Sequence, residues 1–285
     1  MPWINIDFYA AVALDNKDAD LASVLKSVGD RPPKDRLIDR GHEYADYIEI
    51  THNSHGQIFG GAAKVRKIGI PNRFNLKTFQ RHSLGITSEE GLEEVAYFIY
   101  DSSLKTLALQ RHRLFRSGAW QRLVSEIADT PFNLEPRLRK DKWDRFKKMD
   151  RIARLELALI NPDQHPALAD VQPSLGKLLD DASQDGNAFR IDLKFSMAGA
   201  RKASLTPAWV RKIVNRFRSS DENLEKFSVT GTTDEGEREA VDFLRDRLVF
   251  SGEVEYSSRS LDSEQCWKLI RSAIQQNRDY LKDLL

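Results

Sequence analysis

Cysteine is almost missing from this chain: Cys266 is the only one in 285 residues. That excludes an internal disulfide and any zinc or iron–sulfur centre held by several cysteines. Long apolar runs are missing too. No stretch approaches the ~18 uninterrupted apolar residues of a spanning helix, so direct membrane insertion is not expected. The first fifteen residues hold Asp7 and Asp15 and no basic segment, so no signal peptide is expected. Phosphate-loop, serine-hydrolase and kinase signatures are absent. Gly60-Gly61 has no Lys-Ser or Lys-Thr pair behind it, and within an apolar run it marks a strand bulge. A net charge of one sign is lacking as well, since 44 Lys and Arg face 43 Asp and Glu. What is present is a composition 40% hydrophobic and 31% charged. It supplies a large core and excludes global disorder. The length suits two domains, and a soluble, cytoplasmic protein is expected.

The neutral sum conceals a segregation. Residues 1–55 are net −4, residues 56–154 net +9 and residues 155–285 net −4. Between Gly56 and Ser88 there is no carboxylate, while Lys64, Arg66, Lys67, Arg73, Lys77 and Arg81 are present. Arg111, Arg113 and Arg116 follow. From Arg137 to Arg154 nine cations face three carboxylates, the cations being Arg137, Arg139, Lys140, Lys142, Arg145, Lys147, Lys148, Arg151 and Arg154. Such runs raise a local positive potential that attracts polyphosphate. Aromatic residues interleave with them, and bases stack on such rings.

Periodicity gives the elements. Alternation over Ile4–Val12 reads as a strand, and Leu21, Val24, Leu25 and Val28 as a helix face stopped by Gly29 to Pro33. Tyr44–Thr51 and Gln57–Val65 read as a strand pair, and Glu94–Tyr100 with Leu104–Gln110 as a hairpin. Ile70-Pro71-Asn72 reads as a turn. A helix follows from Ser117, then a strand over Phe132–Leu138. Lys140 to Asp150 reads as a charged helical connector whose Trp143 and Phe146 dock one edge. Beyond it come strands over Ile152–Ile160, Asn187–Met197 and Lys226–Thr230, extended chain over Ala240–Tyr256 with a helix over Val241–Leu248 as the alternative, and short helices over Leu175–Ala182 and from Thr206-Pro207. Leu261–Leu284 closes the chain as one long helix. The fold class is α+β, with antiparallel sheets and interspersed helices in two domains. The N-terminal domain covers 1–138, a basic connector 139–151, and a C-terminal domain 152–285.

Three constellations could carry chemistry. Pro162-Asp163 followed by Asp192-Leu193-Lys194 on a strand matches the order used by Mg²⁺-dependent nucleases. Two carboxylates and a phosphate hold the ion, and a lysine shares the strand face with the second carboxylate. An amphipathic strand with Asp192 and Lys194 outward produces the same letters. His52 and His55 flank a turn, and nothing fixes the further ligands that a metal needs. Cys266 lies on an apolar helix face and reads as a small buried hydrophobe.

Taken in order, Phe8-Tyr9-Ala10, the strand pair ending near Val65-Arg66, the Leu84-Gly85-Ile86 step, the Tyr97-to-Leu109 hairpin, the Ile191-to-Phe195 strand and the terminal helix from Leu261 resemble the RexA family. Its members are the DNA-binding components of prophage-exclusion systems. More loosely, the layout is similar to soluble components of other small anti-phage operons. The resemblance implies a cytoplasmic homodimer that binds DNA, without a catalytic centre or cofactor, beside a second protein of the same defence operon. Three readings therefore stand. The first is a sequence-tolerant DNA-binding protein of phage defence, contacting phosphates through Lys64, Arg66, Lys67, Arg73, Lys77, Arg111, Arg113 and Arg116 and the cations from Arg137 to Arg151. The second is a Mg²⁺-dependent nuclease using Asp163, Asp192 and Lys194. The third is a non-enzymatic protein-interaction module.

Overall fold

A computed structural model describes residues 3–13, 20–54, 56–113, 115–160, 190–197, 204–217, 224–257 and 260–285. It is α+β with mostly antiparallel pairing in its sheets. The expected helix at Leu175–Ala182, the candidate Asp163 and the turn residue His55 lie outside the described residues.

The chain divides into two compact units, one made of Met1–Leu134 and Val249–Leu285, the other of Glu135–Leu248. That departs from the boundaries expected at 138 and 152. The physical reason lies in the first unit's sheet. Its strands are β1 (Trp3–Ala13), β2 (Leu37–Asp39), β3 (Tyr44–Ser54), β4 (Gln57–Arg66), β7 (Leu92–Asp101), β8 (Thr106–Gln110), β9 (Phe132–Pro136) and β14 (Val249–Glu253). The order is β14-β1-β8-β7-β4-β3-β2, with β9 also on β1. Trp3 pairs with Glu253 and Asp7 with Val249, so the chain after residue 248 returns to complete the sheet it began. Two further strands, β5 (Arg73–Phe74) and β6 (Arg81–His82), pair only with each other. Another short pair, β15 (Tyr256–Ser257) and β16 (Ser260–Leu261), precedes the last helices.

Helix α1 (Leu21–Asp30) starts where Asp20 accepts the Ser23 N–H and hydroxyl, and buries Leu21, Leu25 and Val28. Helix α2 (Ser117–Ala128) buries Trp120, Leu123, Val124 and Ile127 and ends at Asp129 in the left-handed region. Both pack in one core with Tyr9, Ile48, Phe98, Leu107 and Leu109 of the sheet. Helix α5 (Ser263–Gln276) buries Cys266, Ile270, Ala273 and Ile274 and is capped by Asp262. The expected single helix over 261–284 is instead broken at Asn277. There the side-chain amide donates to the Ala273 carbonyl at 2.9 Å, and a separate helix α6 (Arg278–Lys282) follows. The irregularity expected at Gly60-Gly61 falls on the neighbouring strand: β4 pairs with β7 in unbroken register through both glycines, while the β3–β4 register shifts between Ile50 and His52, opposite Gly60 and Phe59. A Cβ on Gly60 would lie 2.4 Å from the Glu49 carbonyl oxygen and 2.5 Å from the Phe98 ring, so close approach is what this position demands.

The second unit is a four-stranded antiparallel sheet in the order β11-β10-β12-β13, with β10 Met149–Ile160, β11 Arg190–Ser196, β12 Leu224–Thr233 and β13 Arg238–Asp242. Helix α4 (Pro207–Phe217) lays Val210, Ile213, Val214 and Phe217 on it. Helix α3 (Lys140–Lys148) is no linker. Phe146 is buried, with its ring 5.1 Å from that of Phe243, because the basic segment carries the aromatic anchor needed to join this core. Among the described residues no helix is long and apolar enough to cross a membrane.

Candidate nucleic-acid interface

Charge counting along the sequence ignores partners that arrive from elsewhere in the fold. In the second unit these partners are many. Arg145 bonds Glu239, Lys148 lies 3.1 Å from Glu235, and Arg139 forks onto Asp141 at 3.1 and 3.3 Å. The Lys148 ammonium is held charged more firmly than usual by its hydrogen bond to Glu235. Lys147 sits over the Trp143 ring at 5.3 Å. Arg137 and Lys142 are half-buried, and Lys140 and Arg151 are exposed. Of the nine cations in this run, Arg145 and Lys148 face carboxylates of β13 and the β12–β13 turn, and Arg139 faces Asp141.

The same holds for parts of the first unit. Lys64 lies 3.1 Å from Asp46, and Lys67 lies 2.8 Å from Asp39, whose carboxyl that hydrogen bond pulls below its ordinary value. Lys64 and Arg66 also stand 5.4 and 5.8 Å from the centre of the Tyr44 ring. Arg111 grips Asp7 through Nε at 2.9 Å and Nη2 at 2.5 Å, with Asp7 only 6% exposed. Its role is structural. Truncation as Arg111→Ala leaves a carboxylate without its fork in the β1–β8 region. The expected loss is about 1–3 kcal/mol of stability, with duplex affinity unchanged; chemical denaturation and a binding titration check both halves.

His112 is held below its ordinary value of 6.5 by burial, against a smaller opposing pull from Glu94 at 3.7 Å. The folded state therefore binds this proton less well than the unfolded chain does. Its contribution to stability is full above about 6.5 and falls as pH drops below that value. His112→Gln is expected to remove that slope, which thermal melts at about pH 7.5 and about pH 5.5, one on each side of the unfolded-chain value, will show. Arg113 and Arg116 are exposed, and no ion pair engages them among the described residues.

The hairpin β5–β6 is different in kind. Every residue from 71 to 85 is exposed. Asn75 builds its turn: the side-chain oxygen accepts the Lys77 and Thr78 N–H groups at 2.9 and 3.1 Å, and its backbone N–H donates to the Gln80 carbonyl. Phe79 closes the turn with φ +56°. Arg73, Lys77 and Arg81 project from this hairpin without an ion-pair partner among the described residues, and Asp and Glu are absent from 56 to 88. Between the cations stand exposed apolar side chains: Leu76 at 81%, Phe79 at 76% and Phe74 at 49% exposure. The Phe74 and Phe79 rings meet edge to face at 6.4 Å. An isolated two-stranded hairpin is marginal in water, and apolar exposure of this extent marks an interaction site. Sequence periodicity places only the Ile70-Pro71-Asn72 turn here. The usable signal is the carboxylate-free span itself, with Phe74, Leu76 and Phe79 inside it.

Of the nuclease set, Asp163 lies outside the described residues. Asp192 and Lys194 lie on the exposed side of β11, as an amphipathic strand would put them. Asp192 is held in the Arg190 fork at 2.8 and 3.0 Å, and that pairing lowers its pKa. No group of three or more His, Cys, Asp or Glu able to hold a metal occurs among the described residues. Cys266 is 2% exposed, and burial pushes its thiol up to about 11, far from a nucleophile's range. A recess of about 280 Å³ beside α5 is lined by Thr51, Phe59, Glu264, Trp267, Lys268 and Arg271. It falls short of the roughly 300–1,000 Å³ of a typical small-molecule site.

Residues 5–282 match the model of DUF6731, a family of unknown function. No curated protein matches the chain.

Proposed function

Since the chain belongs to DUF6731, a family of unknown function, its activity has to be read from its own surface, and we propose that it binds duplex DNA in a sequence-tolerant way through the β5–β6 hairpin. One observation carries this reading. The hairpin holds exposed Arg73, Lys77 and Arg81 in a span of 33 residues that contains no carboxylate. Cations held clear of carboxylates retain their charge for phosphates, and releasing the counterions of DNA is what drives such binding. Arg113 and Arg116 are the other exposed cations of this unit that fit the role. In α3, Arg145 and Lys148 fit it less well, because Glu239 and Glu235 already engage them. The proposed setting is a cytoplasmic phage-defence or prophage-exclusion system in which a homodimer of this chain signals to a second protein. The resemblance of its sequence pattern to the RexA family motivates that setting.

The test is retention of two unrelated duplexes across a salt series. The expected result is similar affinity for both, with log affinity falling linearly in log salt. Absence of binding at low salt would overturn the proposal.

A further inference from the structure

The cations explain attraction to a phosphate backbone. They leave unexplained why the same hairpin displays Leu76 and Phe79, two of the most exposed large apolar side chains described. Resting on the DNA-binding reading above, we infer that this tip is a wedge: Leu76 and Phe79 insert between neighbouring base pairs from a groove of the duplex and bend it.

Three features support this. The tip is braced rather than floppy. Asn75 holds the Lys77 and Thr78 N–H groups, and the Phe74 ring backs the Phe79 ring at 6.4 Å. The cations bracket the apolar residues along the chain, with Arg73 before them, Lys77 among them and Arg81 after them. Phosphates flanking an opened base step would therefore meet positive charge. Polar residues alternate with the apolar ones, as Asn75, Thr78 and Gln80 do here. That mixture suits a groove lined by base edges and sugars better than a hydrocarbon layer, where amide side chains would lose their hydrogen bonds. Proteins that kink DNA in this way combine basic and amide side chains with apolar wedges, and the bent duplex wraps more protein surface, which offsets the unstacking. Pyrimidine–purine steps open most readily, so within a bound duplex the wedge enters at a TA or CA step.

The experiment uses the full chain with a duplex of about 30 base pairs, far shorter than the ~150-base-pair persistence length of DNA. Donor and acceptor dyes at its ends report the end-to-end distance. Wild type is expected to shorten that distance on binding. The pair Leu76→Ser with Phe79→Asn keeps every cation, and asparagine accepts the positive φ at 79. This variant is expected to bind with an unchanged salt slope and an affinity within about tenfold, yet to leave the duplex straight. Binding by wild type without shortening would overturn the wedge while leaving the DNA-binding reading intact. Equal bending by the variant would do the same. Absence of any DNA binding would overturn both. Stronger binding to vesicles of anionic lipid than to DNA, lost in the same variant, would overturn the wedge in favour of a membrane surface.

Discussion

Charge reversal in the hairpin, as the combined Arg73→Glu, Lys77→Glu and Arg81→Glu variant, is expected to remove most duplex affinity and to leave the fold intact. Three phosphate contacts at about 0.9 each in the salt slope amount, at about 0.1 M salt, to roughly two to three orders of magnitude in affinity. The slope itself should become shallower by about 2.7 for the same reason. Stability should hardly change, because all three residues are exposed and none is engaged in an ion pair among the described residues; exposed substitutions of this kind stay within about 0.5 kcal/mol each. The matching control is Arg145→Glu with Lys148→Glu in α3. Those cations already face Glu239 and Glu235, so the control should lose stability through like-charge contacts and keep its DNA affinity. A titration of the three proteins across salt concentrations separates these outcomes. Equal loss of binding in both variants would mean that charge acts through the whole surface and not through the hairpin.

The largest effect on folding is expected at Trp120. Its ring is fully buried on α2, edge to face with Phe98 of β7 at 5.2 Å and with Phe132 of β9 at 6.3 Å. It therefore ties the helix layer to two separate strands of the first sheet. Trp120→Ala deletes the largest side chain of that core, and the rigid strands on either side cannot collapse into the space. A loss of about 3–5 kcal/mol follows from the transfer and cavity contributions together. For a unit of this size that lowers the melting temperature by on the order of 10 °C. Trp120→Phe retains much of the ring contact and should cost markedly less. Thermal melts of the two variants decide it, and a shift of only one or two degrees for Trp120→Ala would contradict the packing described.

What the sequence discloses and conceals follows the range of the interactions involved. Strands and helices set by their own apolar spacing are legible, as with Leu21, Leu25 and Val28 on α1 or the alternation from Arg190 to Ser196 on β11. The hairpin that carries the proposed function is not. Its strands are two residues long and bury nothing, so neither periodicity nor apolar content marks them. The division into units is hidden for the opposite reason. It depends on pairing such as Trp3 with Glu253, which joins the two ends of the chain, while a local change of composition at Lys140 offers a false boundary. The basic run in α3 misleads in a similar way. Its partners Glu239 and Glu235 lie 94 and 87 residues from Arg145 and Lys148, beyond any window in which charge is counted.

If residues 73–82 are where DNA is met, backbone amide hydrogen exchange of the full chain, with and without a saturating duplex at low salt, will register it there. The amides of Lys77, Thr78 and Phe79 are bonded only within an exposed turn, so in the free protein they exchange fast. DNA is expected to slow exchange across 73–82 and to leave α3, residues 140–148, unchanged. Slowing confined to 140–148, or none in the hairpin of a complex shown to be saturated, would place the DNA elsewhere on the protein.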